Sequence, residues 1–357
     1  MADPLNIIKD QVRELRRYSL NAPRTRVKLN QNENPWDAPA EIKQETLRRL
    51  NQLPWSRYPD FVPESLHQEL AAFSGWKAEG VLAGNGSNEL IQALLMVTVG
   101  RGKRVLISEP TFSLYRQITT VLDGEVISVP LTEEFDYDIP ALSSQIKTTD
   151  PDVAIFCSPN NPTGCILPKG DLESLLETGS GLVVVDEAYF EFSGQSAVSL
   201  LGRHENLVVL RTFSKAMALA GLRVGYLLAA PRIVDEVRKA LLPYNLNVIS
   251  QTAAAVAIER YESDLAPLVR QIIDERDRVY TGIANIRGLK PVKSLANFML
   301  VHAEIDPRQV FNELIQRDIL VRDVSSYPML RSYFRISIGT PRENDLLLAA
   351  LRAICER

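Results

Sequence analysis

The amino-acid sequence predicts an α/β fold: a large domain with a mainly parallel sheet flanked by helices, plus a smaller α/β domain. Three observations carry that prediction. Short apolar runs at 104–108, 125–129, 153–157, 182–185 and 207–210 alternate with helical stretches, as strands buried on both faces of a parallel sheet do. Polar residues suited to chemistry recur just after these runs, at the edge where open α/β sheets hold ligands. Behind a helix-rich stretch, strands (298–301, 333–338) and helices (307–317, 344–355) alternate again as a small second layer. The chain divides accordingly into 1–50, an N-terminal arm with part of the small domain; 51–250, the large domain; 251–285, a connecting helix; and 286–357, the C-terminal small domain.

Taken in order, Ile7, Ile8, Val12 and Leu15 have helical spacing. The run from Val27 to Pro35 is turn-rich and too polar for a core strand, so it suits an arm, an active-site rim or an exposed loop. A helix over 40–50 leads to Arg57-Tyr-Pro59, where the residue before proline is held extended. Tyr58 can thus present its phenol across a surface or simply pack its ring. Ala83-Gly-Asn-Gly-Ser-Asn-Glu89 then opens an apolar helix through Leu90, Ile91, Leu94 and Leu95. Backbone N–H groups at such a start point towards an anion, although glycine turns also merely cap helices.

Between the runs at 104–108 and 125–129 a helix is expected from near Thr111. Ser158-Pro-Asn-Asn-Pro-Thr-Gly164 is a turn whose Asn161 amide can reach a phenolic oxygen. Asp186-Glu-Ala-Tyr189 follows a wholly apolar run, where a carboxylate is expensive unless it meets a cation, caps a helix or joins a salt bridge. Beyond a strand at 226–228, Leu242-Pro-Tyr-Asn-Leu-Asn247 breaks the helical pattern. In the last strand, alternation sets Arg335 opposite Phe334, Ile336 and Ile338, and Arg322 follows the short run 319–321. Two such arginines can clamp a carboxylate or phosphate, or stay solvated.

Composition narrows the function. The chain has 357 residues, enough for about two domains. A net charge of -4 argues against a nucleic-acid or membrane-surface role. Neither a membrane-length apolar run nor a signal-peptide core is expected, so no membrane partner and a cytoplasmic location are. Cys157, Cys165 and Cys355 have no metal or redox spacing and suit a reducing compartment, and His67, His204 and His302 are scattered, so no metal site is expected.

The chemistry centres on Arg211-Thr-Phe-Ser-Lys-Ala-Met-Ala-Leu-Ala-Gly-Leu-Arg-Val-Gly225. A lysine among apolar residues and other cations has a depressed pKa, so Lys215 can attack an aldehyde as a neutral amine. Pyridoxal 5′-phosphate exploits such an amine as a Schiff base, and Ser214 and Arg223 would then serve its phosphate.

The ordered set Asn-Pro-Thr-Gly at 161–164, Asp-x-x-Tyr at 186–189, Ser-Lys at 214–215, Arg223 and Arg335 resembles the fold-type I pyridoxal-phosphate aminotransferases over nearly the whole chain. Within that class the likeness is to the histidinol-phosphate aminotransferases, through Leu29-Asn-Gln-Asn-Glu-Asn-Pro35, Arg57-Tyr-Pro59, Gly84-Asn-Gly-Ser-Asn-Glu89, Leu295-Ala-Asn-Phe298, Val321-Arg-Asp323 and Phe334-Arg-Ile-Ser-Ile-Gly-Thr-Pro341.

The resemblance implies that Lys215 is catalytic, joined to the cofactor and moving the substrate's proton. Asp186 would pair with the pyridine nitrogen, Asn161 and Tyr189 with the ring oxygen, and Phe112 would stack on the ring. Ser87, Asn88, Thr212, Ser214 and Arg223 would hold the phosphate, joined by Tyr58 of a second subunit, which makes a homodimer with shared active sites. Tyr18, Asn34, Arg322 and Arg335 would bind substrate. The implied reaction passes the amino group of histidinol phosphate to 2-oxoglutarate, giving glutamate. An aromatic amino-acid aminotransferase, a threonine-phosphate decarboxylase and a non-catalytic cofactor-binding regulator remain open beside it.

Overall fold

The structure, a computed structural model, describes residues 3–15 and 23–356. Tyr18 lies outside the described residues. The strands are β1 (Val27–Lys28), β2 (Val81–Gly84), β3 (Arg104–Glu109), β4 (Glu125–Pro130), β5 (Val153–Cys157), β6 (Leu182–Asp186), β7 (Leu207–Thr212), β8 (Gly225–Ala229), β9 (Leu289–Pro291), β10 (Phe298–Ala303), β11 (Ile319–Leu320), β12 (Arg322–Asp323) and β13 (Tyr333–Ser337). The α-helices are α1 (Asp10–Glu14), α2 (Ala40–Leu50), α3 (Glu64–Ser74), α4 (Ser87–Thr98), α5 (Leu114–Val121), α6 (Ile139–Thr149), α7 (Lys169–Leu176), α8 (Phe190–Ser193), α9 (Pro231–Arg238), α10 (Val248–Glu259), α11 (Ala266–Ala284), α12 (Pro307–Gln316) and α13 (Pro341–Cys355).

Seven strands form the main sheet in the order β2-β8-β7-β6-β5-β3-β4. Adjacent pairs from β7 to β4 are parallel, whereas β8 runs antiparallel to both of its neighbours. Alternation along the strands builds two cores. Val153, Ile155, Val184, Val208 and Leu210 face one side with α4 residues Leu90, Ile91 and Leu94. Ala154, Phe156, Val183, Val185, Leu207 and Val209 face the other. Each such buried side chain contributes about 1.5–3 kcal/mol, so register is firmly set: a slip of one residue would exchange the two faces.

The smaller sheet, β12-β13-β10-β9, is antiparallel and packs its own core against α11, α12 and α13. β1 pairs in parallel with β11, and the Leu29 carbonyl accepts from the Ser337 N–H at 2.9 Å, so the chain's start is laid onto its end.

Three expectations about element ends change. The single helix expected over 7–15 is a 3-10 turn (Pro4–Ile7) followed by α1, because its apolar residues find little to bury against. The helix expected near Thr111 starts at Leu114, because the Thr111 hydroxyl donates to Asn160 Oδ1 at 2.7 Å and holds the preceding residues on the neighbouring loop. The last helix starts at Pro341, three residues earlier than expected, because Thr340 and Glu343 form a capping box ahead of it.

Gly225 ties the sheet to the turn before α4. A Cβ there would meet the Ser87 nitrogen, the Gly86 carbonyl carbon (2.7 Å) and the Arg211 carbonyl oxygen (3.0 Å), all backbone. Gly225→Ala is expected to lower stability by about 1–3 kcal/mol, seen as a lower urea midpoint. Gly170→Ala, in α7 with nothing within 4 Å, should be neutral or slightly stabilising.

Candidate active site

Cys157 and Asp186, where β5 and β6 end, lie side by side with Leu210, and two residues on, at the end of β7, Thr212 pairs with Gly225. The loops leaving this edge therefore open onto one place, a pocket of about 240 Å³. Of the residues singled out in the sequence, Ser87, Asn88, Phe112, Asn161, Asp186, Tyr189, Thr212, Ser214, Lys215, Arg223, Arg322 and Arg335 all line it.

Lys215 sits in its interior. Its Nζ donates to the Gln31 carbonyl at 2.9 Å and lies 5.8 Å from the centre of the Tyr189 ring. Burial pulls its pKa down to about 8, helped by the positive charges of Arg335 and Arg223 and opposed by Glu33. Half the amines are neutral at that pH, which is the state that attacks a carbonyl carbon.

Asp186 is only 3 % exposed. Its Oδ2 accepts from the Tyr115 hydroxyl at 2.6 Å and its Oδ1 from the Ala188 N–H at 3.1 Å. Burial raises its pKa, against the effect of these two donors. Burial, with the Asp186 charge beside it, pushes the Tyr115 phenol well above its usual range, so it stays a donor. The same ring meets Phe112 edge to face at 5.6 Å, so Tyr115 braces both the carboxylate and an aromatic wall.

On the other side, Asn161 Oδ1 accepts from Arg335 Nη1, whose Nη2 donates to the Asn30 carbonyl at 2.8 Å. Asn32 Nδ2 donates to the Tyr189 hydroxyl at 3.1 Å. Arg335 and Arg322 stand opposite each other in the β12–β13 register, which places two guanidinium groups at one end of the pocket.

The opposite end is built for an anion. Arg223 has φ +54, a left-handed conformation that turns the chain here, and its Nη1 donates to Ser214 Oγ at 3.0 Å. The Thr212 hydroxyl donates to the same Oγ at 3.0 Å. Gly86 (φ +83) caps α4, and a Cβ on it would run into the Arg223 guanidinium. Only glycine lets this turn sit against the arginine while α4 directs its first N–H groups outward.

A buried ion pair supports this edge from behind: Arg211 Nε donates to Glu187 Oε2 at 3.0 Å and the guanidinium stacks on Phe190 at 3.7 Å. The sequence assigns neither charge a role.

Two named residues lie elsewhere. Tyr58 is 80 % exposed and stacks on Tyr244 with ring centres 4.5 Å apart. Asn34, expected at the substrate end, donates to the Ala216 carbonyl at 3.1 Å and lines a neighbouring cavity with Trp36 and Asp37. Asn30, Gln31 and Asn32 face the pocket in its stead, Cys157 and Tyr327 also line it unanticipated, and Tyr115 supports it from behind through Asp186. Nothing local marks Tyr115, whose acceptor lies 71 positions away. Away from the pocket, Glu173, Glu177 and His204 bring ligand atoms within 4.8 Å of one another, with Arg203 already paired to Glu173 at 2.7 Å.

Residues 24–351 match the family described as aminotransferase class I and II. A histidinol-phosphate aminotransferase of Chlorobium phaeovibrioides is 37 % identical over 99 % of this chain and 98 % of its own. Histidinol-phosphate aminotransferase 1 of Carboxydothermus hydrogenoformans is 39 % identical over 97 % of this chain and 98 % of its own. The fold matches that of the histidinol-phosphate aminotransferase of Sinorhizobium meliloti, solved with pyridoxal 5′-phosphate, at a TM-score of 0.86 and 24 % identity, covering 93 % of this chain and 92 % of the other.

Burial of Lys215 sets a pH dependence. Between about pH 8 and the ordinary lysine value of 10.5 the unfolded chain keeps the Lys215 proton and the folded chain does not. Stability therefore rises with pH across that window, by on the order of 3 kcal/mol from this residue. Urea midpoints of the ligand-free protein, wild type minus Lys215→Met, should show this rise; a difference that stays flat with pH would contradict the buried amine.

Proposed function

The chain belongs to the class I and II aminotransferase family, and from that membership we propose that it transfers the amino group of L-histidinol phosphate to 2-oxoglutarate. The products are imidazole-acetol phosphate and glutamate, and the step belongs to histidine biosynthesis. Its cofactor is pyridoxal 5′-phosphate. The donor set fits that group: the side-chain-free turn at Gly86 against Arg223 suits a phosphate, and Asp186, buried without an ion pair among the described residues, suits a protonated ring nitrogen.

Ser87, Asn88, Thr212, Ser214 and Arg223 would hold the phosphate, Asp186 the ring nitrogen, Asn161 and Tyr189 the ring oxygen, and Phe112 would cover a face of the ring. The bound cofactor supplies an electron sink for the pair left when the substrate's Cα loses its proton. Lys215 would anchor it and would then carry that proton from the substrate's Cα to the cofactor's side, with an amine whose pKa burial lowers to about 8. Tyr115 keeps Asp186 oriented, so its charge stays directed at the nitrogen. Segment 30–32 seats on the rim through its contacts to Arg335, Lys215 and Tyr189 and shields the reacting atoms from water.

The observation that carries the substrate reading is the facing pair Arg322 and Arg335, at the end away from the phosphate cradle. Guanidinium groups grip carboxylate and phosphate oxygens alike. One pair can therefore take the α-carboxylate of glutamate and, in turn, the phosphate ester that histidinol phosphate carries on the equivalent carbon. The names of the two relatives, nearly full-length on both sides, support the same substrate.

The test is kcat/KM for histidinol phosphate and for phenylalanine, each with 2-oxoglutarate. Histidinol phosphate should be preferred by about a hundredfold or more, beyond what a small difference in pocket contacts supplies, and Lys215→Ala should abolish turnover. Equal or reversed values would move the enzyme to aromatic amino acids.

We also propose a homodimer in which Tyr58 reaches the phosphate of the partner's site. Trp55, Tyr58, Phe61 and Leu242 are 68, 80, 65 and 77 % exposed, and Tyr58 and Phe61 both contact Tyr244. An aromatic patch of this kind is characteristic of an interface. Sedimentation of the wild type should give a dimer and Trp55→Glu should shift it to monomer with loss of turnover; a fully active monomer would refute sharing.

A further inference from the structure

The largest opening among the described pockets is not the one holding Lys215. A cleft of about 860 Å³ lies between the loop joining β4 to α6, the turn at Thr163–Gly164, and the pair α11 and β10. Arg276 of α11 lines it and is only 6 % exposed. Its Nε donates to Asp277 Oδ1 at 3.0 Å, while its Nη1 is buried with no hydrogen-bond partner. A buried charged donor left unpaired is costly, and native structures seldom keep one without a ligand, ion or water to meet it.

The two walls differ in sign. Arg276 and Lys293 stand on one side, and the exposed carboxylates of Glu134 and Asp136 on the other. Asp277, 70 % exposed, engages Arg276 at its Nε. Between the walls, Tyr280 and Val292 offer apolar surface. Separated charges flanking an apolar strip match a molecule that carries both charges and a side chain.

We propose that this cleft binds a free α-amino acid, its carboxylate on Arg276, its ammonium on Glu134 and Asp136, and an apolar side chain against Tyr280 and Val292. The site is separate from the reaction pocket. The loop 158–164 divides them, with Asn161 facing the pocket and Thr163 and Gly164 facing the cleft. Gly164 (φ +80) is pressed against Ser294, and its carbonyl accepts from the Leu295 N–H at 2.9 Å, which closes the cleft's floor.

Calorimetric titration of the cofactor-loaded enzyme with L-leucine, L-methionine and L-valine tests this. At least one should bind saturably, with its N-acetyl and amide derivatives weaker by about tenfold or more, the loss of one charged hydrogen-bonded end. Arg276→Gln and the exposed Asp136→Asn should weaken binding similarly and leave transamination unchanged. A soaked crystal should place the amino acid beside Arg276. Wild-type affinity in both variants, density only beside Lys215, or no saturation by about 10 mM would each overturn the proposal. So would a double-mutant cycle in which Arg276 and Asp136 stabilise each other in the unliganded protein, since the walls would then satisfy one another.

Discussion

Holding an amine and a carboxylate out of water at one sheet edge is the constraint on which the rest of this structure turns. Asp186 is buried and Lys215 half-buried, and burial acts on each in the same sense, towards the neutral form. Uncompensated, such groups are expensive. The chain meets that cost with specific donors and acceptors: Gln31 for Lys215, and Tyr115 and Ala188 for Asp186. The same low-polarity surroundings that raise the cost give the site its chemistry, since an amine near pH 8 and an orientated carboxylate are what proton transfer at Cα requires.

The parallel sheet makes this possible. Because β5 and β6 end in register and β7 runs only two residues further, their loops converge without any long excursion. The antiparallel β8 then returns the chain beside β7, and Gly225 lets the turn before α4 approach closely enough to join the cradle. Behind the edge, the Glu187–Arg211 pair is sealed from solvent and stacked on Phe190, which fixes the start of the segment leading to Lys215. Charge at the front of the site is thus held by charge at its back.

The two ends of the pocket are built differently. Ser214, Arg223 and the start of α4 form a cradle of fixed donors. Arg322 and Arg335 come instead from the smaller sheet, and Arg335 touches the rest through Asn161 and Asn30. The end with Arg335 is therefore assembled from both sheets and from the N-terminal segment, so it depends on their packing in a way that the end with Arg223 does not.

How much of this was legible follows from sequence distance. Asp186, Asn161, Ser214 and Lys215 stand just after apolar runs, and strand alternation with the rule for parallel sheets places them on one edge. Arg335 is assigned its face by the same alternation. The supporting contacts carry no local signal. Gln31 meets Lys215 across 184 positions, and Tyr115 meets Asp186 across 71. Nor does periodicity describe Asn34, which turns to Ala216 while Asn32, two residues earlier with φ 54, turns to Tyr189.

By itself, then, the sequence determined the layers, the mainly parallel character of the main sheet and which polar residues follow its strands, because those depend on periodicity and on local chain breaks. Only the tertiary structure decided which buried charges have partners, how the N-terminal segment covers the pocket, and where Arg276 opens onto a second cleft. These are contacts between distant segments, set by packing and by the cost of an unpaired polar group, and neither is encoded within any one stretch of chain.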